Sequence, residues 1–306
     1  MRNILSRDIS ARFWSLPQKP REEAAREQTF IDDIIQKAHI QRLLLENLEG
    51  IRTAFDGGGG TGRFSLLMAA RGVHVTHFDI SQPMLDKARQ LAEIRGLTGN
   101  ISFVHGALED LSAFADRQFD LSMSFDAPIS YTWPSHERVI GELVRIAAKR
   151  VCISVYSRAA NVAYHFDPAQ KEKYILNLRR RELRGLNKRR KGFRPDFEAA
   201  RELLRDGLGD PQAIAAAYER GETPWPVSYA FTPEELRGLL EGFGARGIRL
   251  SGPGALSRSV PGELLRAYMR DEALKRDFLD FCYEYDSLPS AAGMGKDNLV
   301  AIAEVR

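Results

Sequence analysis

The sequence predicts an α/β fold: a doubly wound, mostly parallel seven-stranded sheet with a mainly helical lid formed by two inserts. Three observations carry this. Short apolar runs alternate with segments of helical period between residues 51 and 157. The connections are short, and a βα series of that kind packs helices on both faces of a parallel sheet. A glycine run, Asp56-Gly57-Gly58-Gly59-Gly60-Thr61-Gly62, stands where the first apolar run ends and a helical segment begins.

Taken in order, residues 1–27 are polar and poorly periodic, with Phe13, Trp14 and Leu16 as their apolar cluster before Pro17 and Pro20. They read as a mobile arm able to fold over the site. A core of residues 28–157 follows. It opens with an amphipathic helix from Thr29 to near Gly50, in which Phe30, Ile31, Ile34, Ile35 and Ala38 recur at helical spacing. Strands are predicted at Ile51–Phe55, Val73–Phe78, Ile101–Val104, Phe119–Phe125 and Val151–Val155. Helices are predicted at Arg63–Ala70, Pro83–Arg95 (Ser81 as cap) and His136–Ala148. The rhythm breaks over an insert at 158–228 and resumes at 229–251. There Thr232-Pro233-Glu234-Glu235 has the form of a capping box. A second insert spans 252–297, and a last strand lies within 298–306. If only this last strand is antiparallel, both inserts leave from the same sheet end and roof a common pocket, with Tyr164, His165, Trp225, Tyr229, Tyr283, Glu284 and Tyr285 as candidate contacts.

With 43% hydrophobic and 28% charged residues in 306, the composition is that of a soluble globular chain with room for a large core. The charged start, with Arg2, Arg7, Asp8 and Arg12, reads as neither a signal peptide nor a membrane span, so a cytoplasmic location is expected. Cys152 and Cys282 sit in apolar company and read as buried thiols, and no Cys/His spacing indicates a metal site. Charge is uneven. Residues 179–194 hold nine basic residues against one acid, a net +8, so the remainder carries −5 within the chain's +3. A local basic segment on an acidic body reads either as a solvated lid face or as a grip for phosphate.

The glycines leave backbone N–H groups uncovered and let the chain turn sharply, which suits a loop lying against a ligand. Both G-x-G-x-x-G (Gly57, Gly59, Gly62) and D-x-G-x-G-x-G fit them. Asp79 ends the second strand seventeen residues past Gly62, where a carboxylate can accept hydrogen bonds from both ribose hydroxyls, so an adenosine-containing ligand is implied. Asp56 before the glycines would repel a pyrophosphate and tolerate a cationic sulfonium amino acid. That favours S-adenosylmethionine over NAD.

With Ala54–Ser65, Phe78–Ala88, Gly106–Leu111 and Phe119–Leu121 taken together, the sequence resembles the class I S-adenosylmethionine-dependent methyltransferases, over residues 51–157, 232–250 and 299–304. The resemblance implies S-adenosyl-L-methionine as cofactor in a Rossmann-like fold. It implies that Asp56, Gly58 and Gly60, with Gly57 in the same loop, line the methionine part, and that Asp79 binds the ribose. Ile80 and Met84 would flank the adenine; Ala107, Leu108 and Glu109 would edge it. Family members often carry an acid where Ala107 stands, and the glycine pair before the fifth strand is replaced by Ala147-Ala148-Lys149-Arg150.

Methyl transfer is an in-line displacement, and holding the reactants aligned is the main task. The segment after the fourth strand is the natural place for an acceptor. Asp126 and Tyr131 are candidates to orient or deprotonate it, between the aromatic walls of Phe125 and Trp133, and His165 is a candidate base. The expected activity is methyl transfer to an oxygen or nitrogen of a small-molecule or peptide-like substrate. The alternatives are an RNA methyltransferase using residues 179–194 and a donor-binding protein or cyclase without methyl transfer. No membrane partner is expected, and the oligomeric state is left open.

Overall fold

The computed structural model describes residues 2–162 and 196–305. Its sheet contains β1 (Thr53–Gly57), β2 (His74–Asp79), β3 (Ile101–His105), β4 (Phe119–Ser124), β5 (Ala147–Ser157), β6 (Ala230–Phe231), β7 (Arg246–Ser251) and β8 (Asn298–Glu304). The order is β3-β2-β1-β4-β5-β8-β7, with β6 alongside the end of β5. Among these strands all pairings are parallel except the two made by β8. The seven expected strands are therefore present in the expected sense. β6 is the addition, a two-residue strand too short to show any period. β5 starts four residues earlier than the apolar run, because Ala147–Arg150 continue its ladder.

The central strands alternate between two cores. Phe55 and Val151 join Phe119, Ile140 and Leu240 on one face; Ala54 and Cys152 join Leu44, Phe64 and Met68 on the other. Burial on both faces is why these strands read as continuous apolar runs. Outside them lie α3 (Ile31–Glu46), α4 (Arg63–Ala69), α5 (Gln82–Ile94) and α6 (His136–Arg145). Ser81 caps α5, its Oγ accepting from Met84 N at 3.3 Å.

The N-terminal arm is helical: α1 (Arg2–Trp14) and α2 (Lys19–Thr29). The apolar residues of α1 are few, but Ile9 and Phe13 are fully buried, Ile9 in a cluster with Ile214 and Val227 from about 200 residues later in the chain. Local periodicity cannot show a partner that distant. Pro20 does not break a helix; it occupies the first turn of α2, where its missing N–H has no role.

In the first insert, α7 (Arg158–Asn161), α8 (Phe197–Asp206) and α9 (Pro211–Glu219) are described, whereas Tyr164, His165 and the basic segment 179–194 lie outside the described residues. Arg158 anchors the insert: 7% exposed, it donates to both Glu235 carboxylate oxygens at 2.8 Å and to Ala230 O at 3.1 Å. Glu235 completes the capping box of α10 (Pro233–Gly242). The second insert forms α11 (Gly262–Tyr268) and α12 (Glu272–Asp286). Leu265 and Cys282 of these helices pack with Ile35 of α3, on the flank of the core. Among the described residues no helix is long and apolar enough to cross a membrane.

Candidate active site

The loop between β1 and α4 is tied to β2. Gly58 and Gly59 N–H donate to Phe78 O at 2.7 and 3.2 Å, Gly60 N–H to Asp79 Oδ2 at 2.8 Å, and Gly62 N–H to Gly59 O at 2.9 Å. Four of the groups expected to face a ligand are thus used inside the protein. Gly58 and Gly60 take φ of +68° and +55°, the left-handed region that favours glycine. Beneath the loop Asp56, 1% exposed, accepts from Ser65 Oγ at 2.6 Å. Ser65 Oγ also lies 2.8 Å from His77 Nδ1, and His77 Nε2 lies 3.1 Å from Gly60 O. Sequence reasoning missed His77. The available signal was its place two residues before Asp79, which puts both on one face of β2.

Asp79 is 6% exposed and lines the cavity, with Oδ1 accepting from Ser81 N at 2.8 Å and Oδ2 from Gly60. Burial pushes its carboxyl above the usual range, against the pull of these N–H groups. Each oxygen keeps a lone pair for a further donor. Ile80, Met84 and Leu108 continue the wall with Phe78, and the half-buried Glu109, its carboxyl also pushed up by burial, closes that end. Ala107 and Gly57 do not reach the cavity surface. A Cβ on Gly57 would lie 2.7 Å from Leu108 Cδ2 and 2.8 Å from Phe55 Cε1, so that glycine answers to packing.

At the other end Asp126 and Ala127 hold φ of +68° and +62°, left-handed in succession. Two such residues are strained, and they persist only when their surroundings fix them. Both N–H groups donate to Ser154 Oγ, at 2.9 and 3.3 Å. The Asp126 carboxylate, one-third exposed to the cavity, pairs with the ammonium of Lys37 on α3, itself 2% exposed. Phe64 and Phe125 pack at 4.8 Å beside it. Tyr131 lines the cavity while its hydroxyl meets that of Tyr156 and accepts from Trp225 Nε1 at 3.2 Å. The candidate base His165 lies outside the described residues.

The cavity has an empty volume of about 970 Å³, part of it open to solvent. Among the described residues its roof is Ser10 and Trp14 of α1 with Glu23 of α2, and no described residue of either insert lines it; residues 163–195 of the first insert lie outside the described residues. Of the insert residues singled out, Trp225 backs Trp14 at 5.7 Å, Tyr229 stacks on His136 at 4.1 Å, and Tyr283 bonds Glu46 at 2.5 Å on the flank. Among the described residues Trp225, Tyr229, Tyr283, Glu284 and Tyr285 do not line the cavity. Ser81 Oγ donates to Trp14 O at 2.9 Å, joining the roof to the helix after Asp79.

A family model described as "Methyltransferase domain" matches residues 54–150. The tRNA 5-carboxymethoxyuridine methyltransferase of Escherichia coli (strain K12) is 35% identical over 82 residues, 27% of this chain and 31% of that protein. The magnesium-protoporphyrin O-methyltransferase of Rhodobacter capsulatus is 34% identical over 119 residues, 38% of this chain and 50% of that protein. The chain thus matches only about a third to a half of the length of these relatives. Among solved structures, a SAM-dependent methyltransferase from Thermotoga maritima, described as a possible histamine N-methyltransferase, aligns over 98% of this chain and 99% of that one, with a TM-score of 0.50 and 15% identity, a likeness of fold. Residues 54–150, which carry the glycine loop, Asp79 and Asp126, thus match a methyltransferase domain.

Proposed function

We propose that the protein transfers the methyl group of S-adenosyl-L-methionine to an oxygen or nitrogen of a small-molecule or peptide-like acceptor held beneath α1. The observation carrying this reading is that the N–H groups of Gly58, Gly59, Gly60 and Gly62 are all bonded within the protein. A pyrophosphate is held by such groups when they are free. Here the loop offers close approach without those donors, which suits a cationic amino-acid moiety better than a dinucleotide. The cavity runs from an acid placed for a ribose (Asp79), with apolar walls for a base (Ile80, Met84, Leu108), to an anionic, aromatic end (Asp126, Phe125, Tyr131).

When bound, the donor supplies an electrophilic methyl carbon on a sulfonium. The acceptor lone pair forms the new bond as the S–C bond breaks, leaving a neutral thioether. The chain's own work is alignment and exclusion of water. Asp79 holds the ribose and Glu109 the adenine edge. Asp126, paired with the Lys37 ammonium and one-third exposed, offers its remaining carboxylate lone pairs as hydrogen-bond acceptors. Its role is therefore to orient the acceptor's N–H or O–H. The proton released on transfer goes to water.

A nucleic-acid acceptor is the second reading, favoured by the +8 segment at 179–194 and by the tRNA enzyme among the relatives. The deciding experiment is titration calorimetry with S-adenosylhomocysteine and with NAD, followed by transfer of a labelled methyl group into fractionated extract. Binding of S-adenosylhomocysteine and label in a small-molecule fraction support the proposal. NAD binding in its place overturns it, and label confined to RNA with salt-sensitive turnover selects the second reading.

A further inference from the structure

The glycines of the loop have different reasons to be glycine, and Gly59 has the least expected one. Its φ is not left-handed, so its backbone does not require the residue. Space does. A Cβ on Gly59 would lie 2.4 Å from Cε1 and 2.5 Å from Nδ1 of His77, and 2.9 Å from Asp56 Oδ2. The imidazole stands where a side chain on residue 59 would stand.

From that place the ring makes two contacts. A carbonyl oxygen only accepts, so the 3.1 Å contact with Gly60 O assigns the proton to Nε2. Nδ1 lies 2.8 Å from Ser65 Oγ, whose single proton is shared between it and Asp56 Oδ2 at 2.6 Å. The ring is fully buried, with its edge toward Phe103 at 5.6 Å. The Gly60 residue is consequently gripped on both sides by one face of β2: its carbonyl by His77 and its N–H by Asp79.

We propose that His77 is a positioning residue for the donor, forming one steric unit with Gly59. Its imidazole sets where the Gly60 carbonyl and Asp56 stand against the amino-acid part of the donor, while Asp79, held also by Ser81 N–H, serves the ribose. This rests on the reading of the cavity as an S-adenosylmethionine site.

The test compares two ligands on folded full-length protein: S-adenosylhomocysteine, which has the amino-acid part, and 5′-methylthioadenosine, which lacks it. Wild-type protein that fails to bind S-adenosylhomocysteine overturns the donor-site reading itself. Given that binding, His77→Gly is expected to weaken S-adenosylhomocysteine by about five- to tenfold, the scale of one or two hydrogen bonds, and 5′-methylthioadenosine by less than about twofold. His77→Gln, which keeps an N–H toward Gly60, recovers most of the loss. Gly59→Ala weakens S-adenosylhomocysteine by more than about tenfold alone and by several-fold less in the His77→Gly background, where only the 2.9 Å approach to Asp56 Oδ2 is left. Equal losses for the two ligands, wild-type affinity in His77→Gly, or the same Gly59→Ala penalty in both backgrounds would overturn the proposal. If Gly59→Ala does not fold, the two-ligand comparison of His77→Gly with His77→Gln decides alone.

Discussion

Asp79 performs two tasks with one carboxylate. It fastens Gly60 and Ser81 through their N–H groups and offers its remaining lone pairs to the cavity. Asp79→Ala is therefore expected to weaken S-adenosylhomocysteine by about 1–3 kcal/mol, measured by calorimetry, because charge-assisted hydrogen bonds and the loop's anchor are lost together. Unchanged affinity would remove Asp79 from the site. Asp126 stands at the other end of the cavity, its backbone N–H held by Ser154 and its carboxylate by Lys37. Asp126→Ala is expected to lower turnover by about a hundredfold, the effect of a misplaced acceptor, with donor affinity within about twofold. An equal fall in donor affinity would assign Asp126 to the donor. That both acids line the cavity was legible in the sequence, because Asp79 ends β2 and Asp126 follows β4 at the sheet's carboxyl end. His77 and Lys37 were not. Their partners, Gly60 O and the Asp126 carboxylate, meet them only after a loop and a helix have docked.

Helix α1 shows what an element owes to tertiary contacts. Few of its residues are apolar, yet Phe13 is fully buried, 4.8 Å from the Trp225 ring, with the Lys19 ammonium 4.1 Å over its face. Packing of this kind stabilises a short helix that propensity alone would leave marginal. Phe13→Ala is expected to cost about 3–5 kcal/mol of the contacts docking α1. Hydrogen exchange should then show lost protection in residues 2–14, with faster S-adenosylhomocysteine release and β-strand protection unchanged. Protection lost equally across the sheet would make α1 part of one cooperative unit with the core. The βα elements of residues 51–157 could be read directly, since their burial repeats along the chain. That the arm folds over the site could be read too, but its helices could not, because the residues that bury Ile9 and Phe13 lie about 200 positions later in the chain.

Across the molecule the two faces of the sheet bury histidines that answer to acid. His39 bonds Ser251 Oγ at 3.0 Å, and His136 stacks on Tyr229; in each, Nδ1 has no hydrogen-bond partner among the described residues. Burial lowers both rings from the ordinary value near 6.5 to about 4. Between those values the unfolded chain takes up protons that the fold refuses. Stability is therefore complete above about pH 6.5 and falls as pH drops toward 4, by on the order of 3 kcal/mol for each ring. Urea midpoints at pH 7 and pH 5 check this, and His136→Phe should flatten the difference; an unaltered difference would assign the acid sensitivity to other groups. The strand sense was legible from the sequence, whereas the placement of the second insert beside α3 was not, since its apolar residues mark a buried face without naming which surface covers it. The succession Asp126-Ala127 finally bears on how such a protein can change over generations. Ala127 is fully buried in a left-handed backbone, so larger and β-branched side chains are barred there. The turn that presents the Asp126 carboxylate is closed to drift, whereas Ser10, Trp14 and Glu23 lie on helices laid over the sheet. A descendant could therefore exchange the helices over the cavity while keeping this turn unchanged.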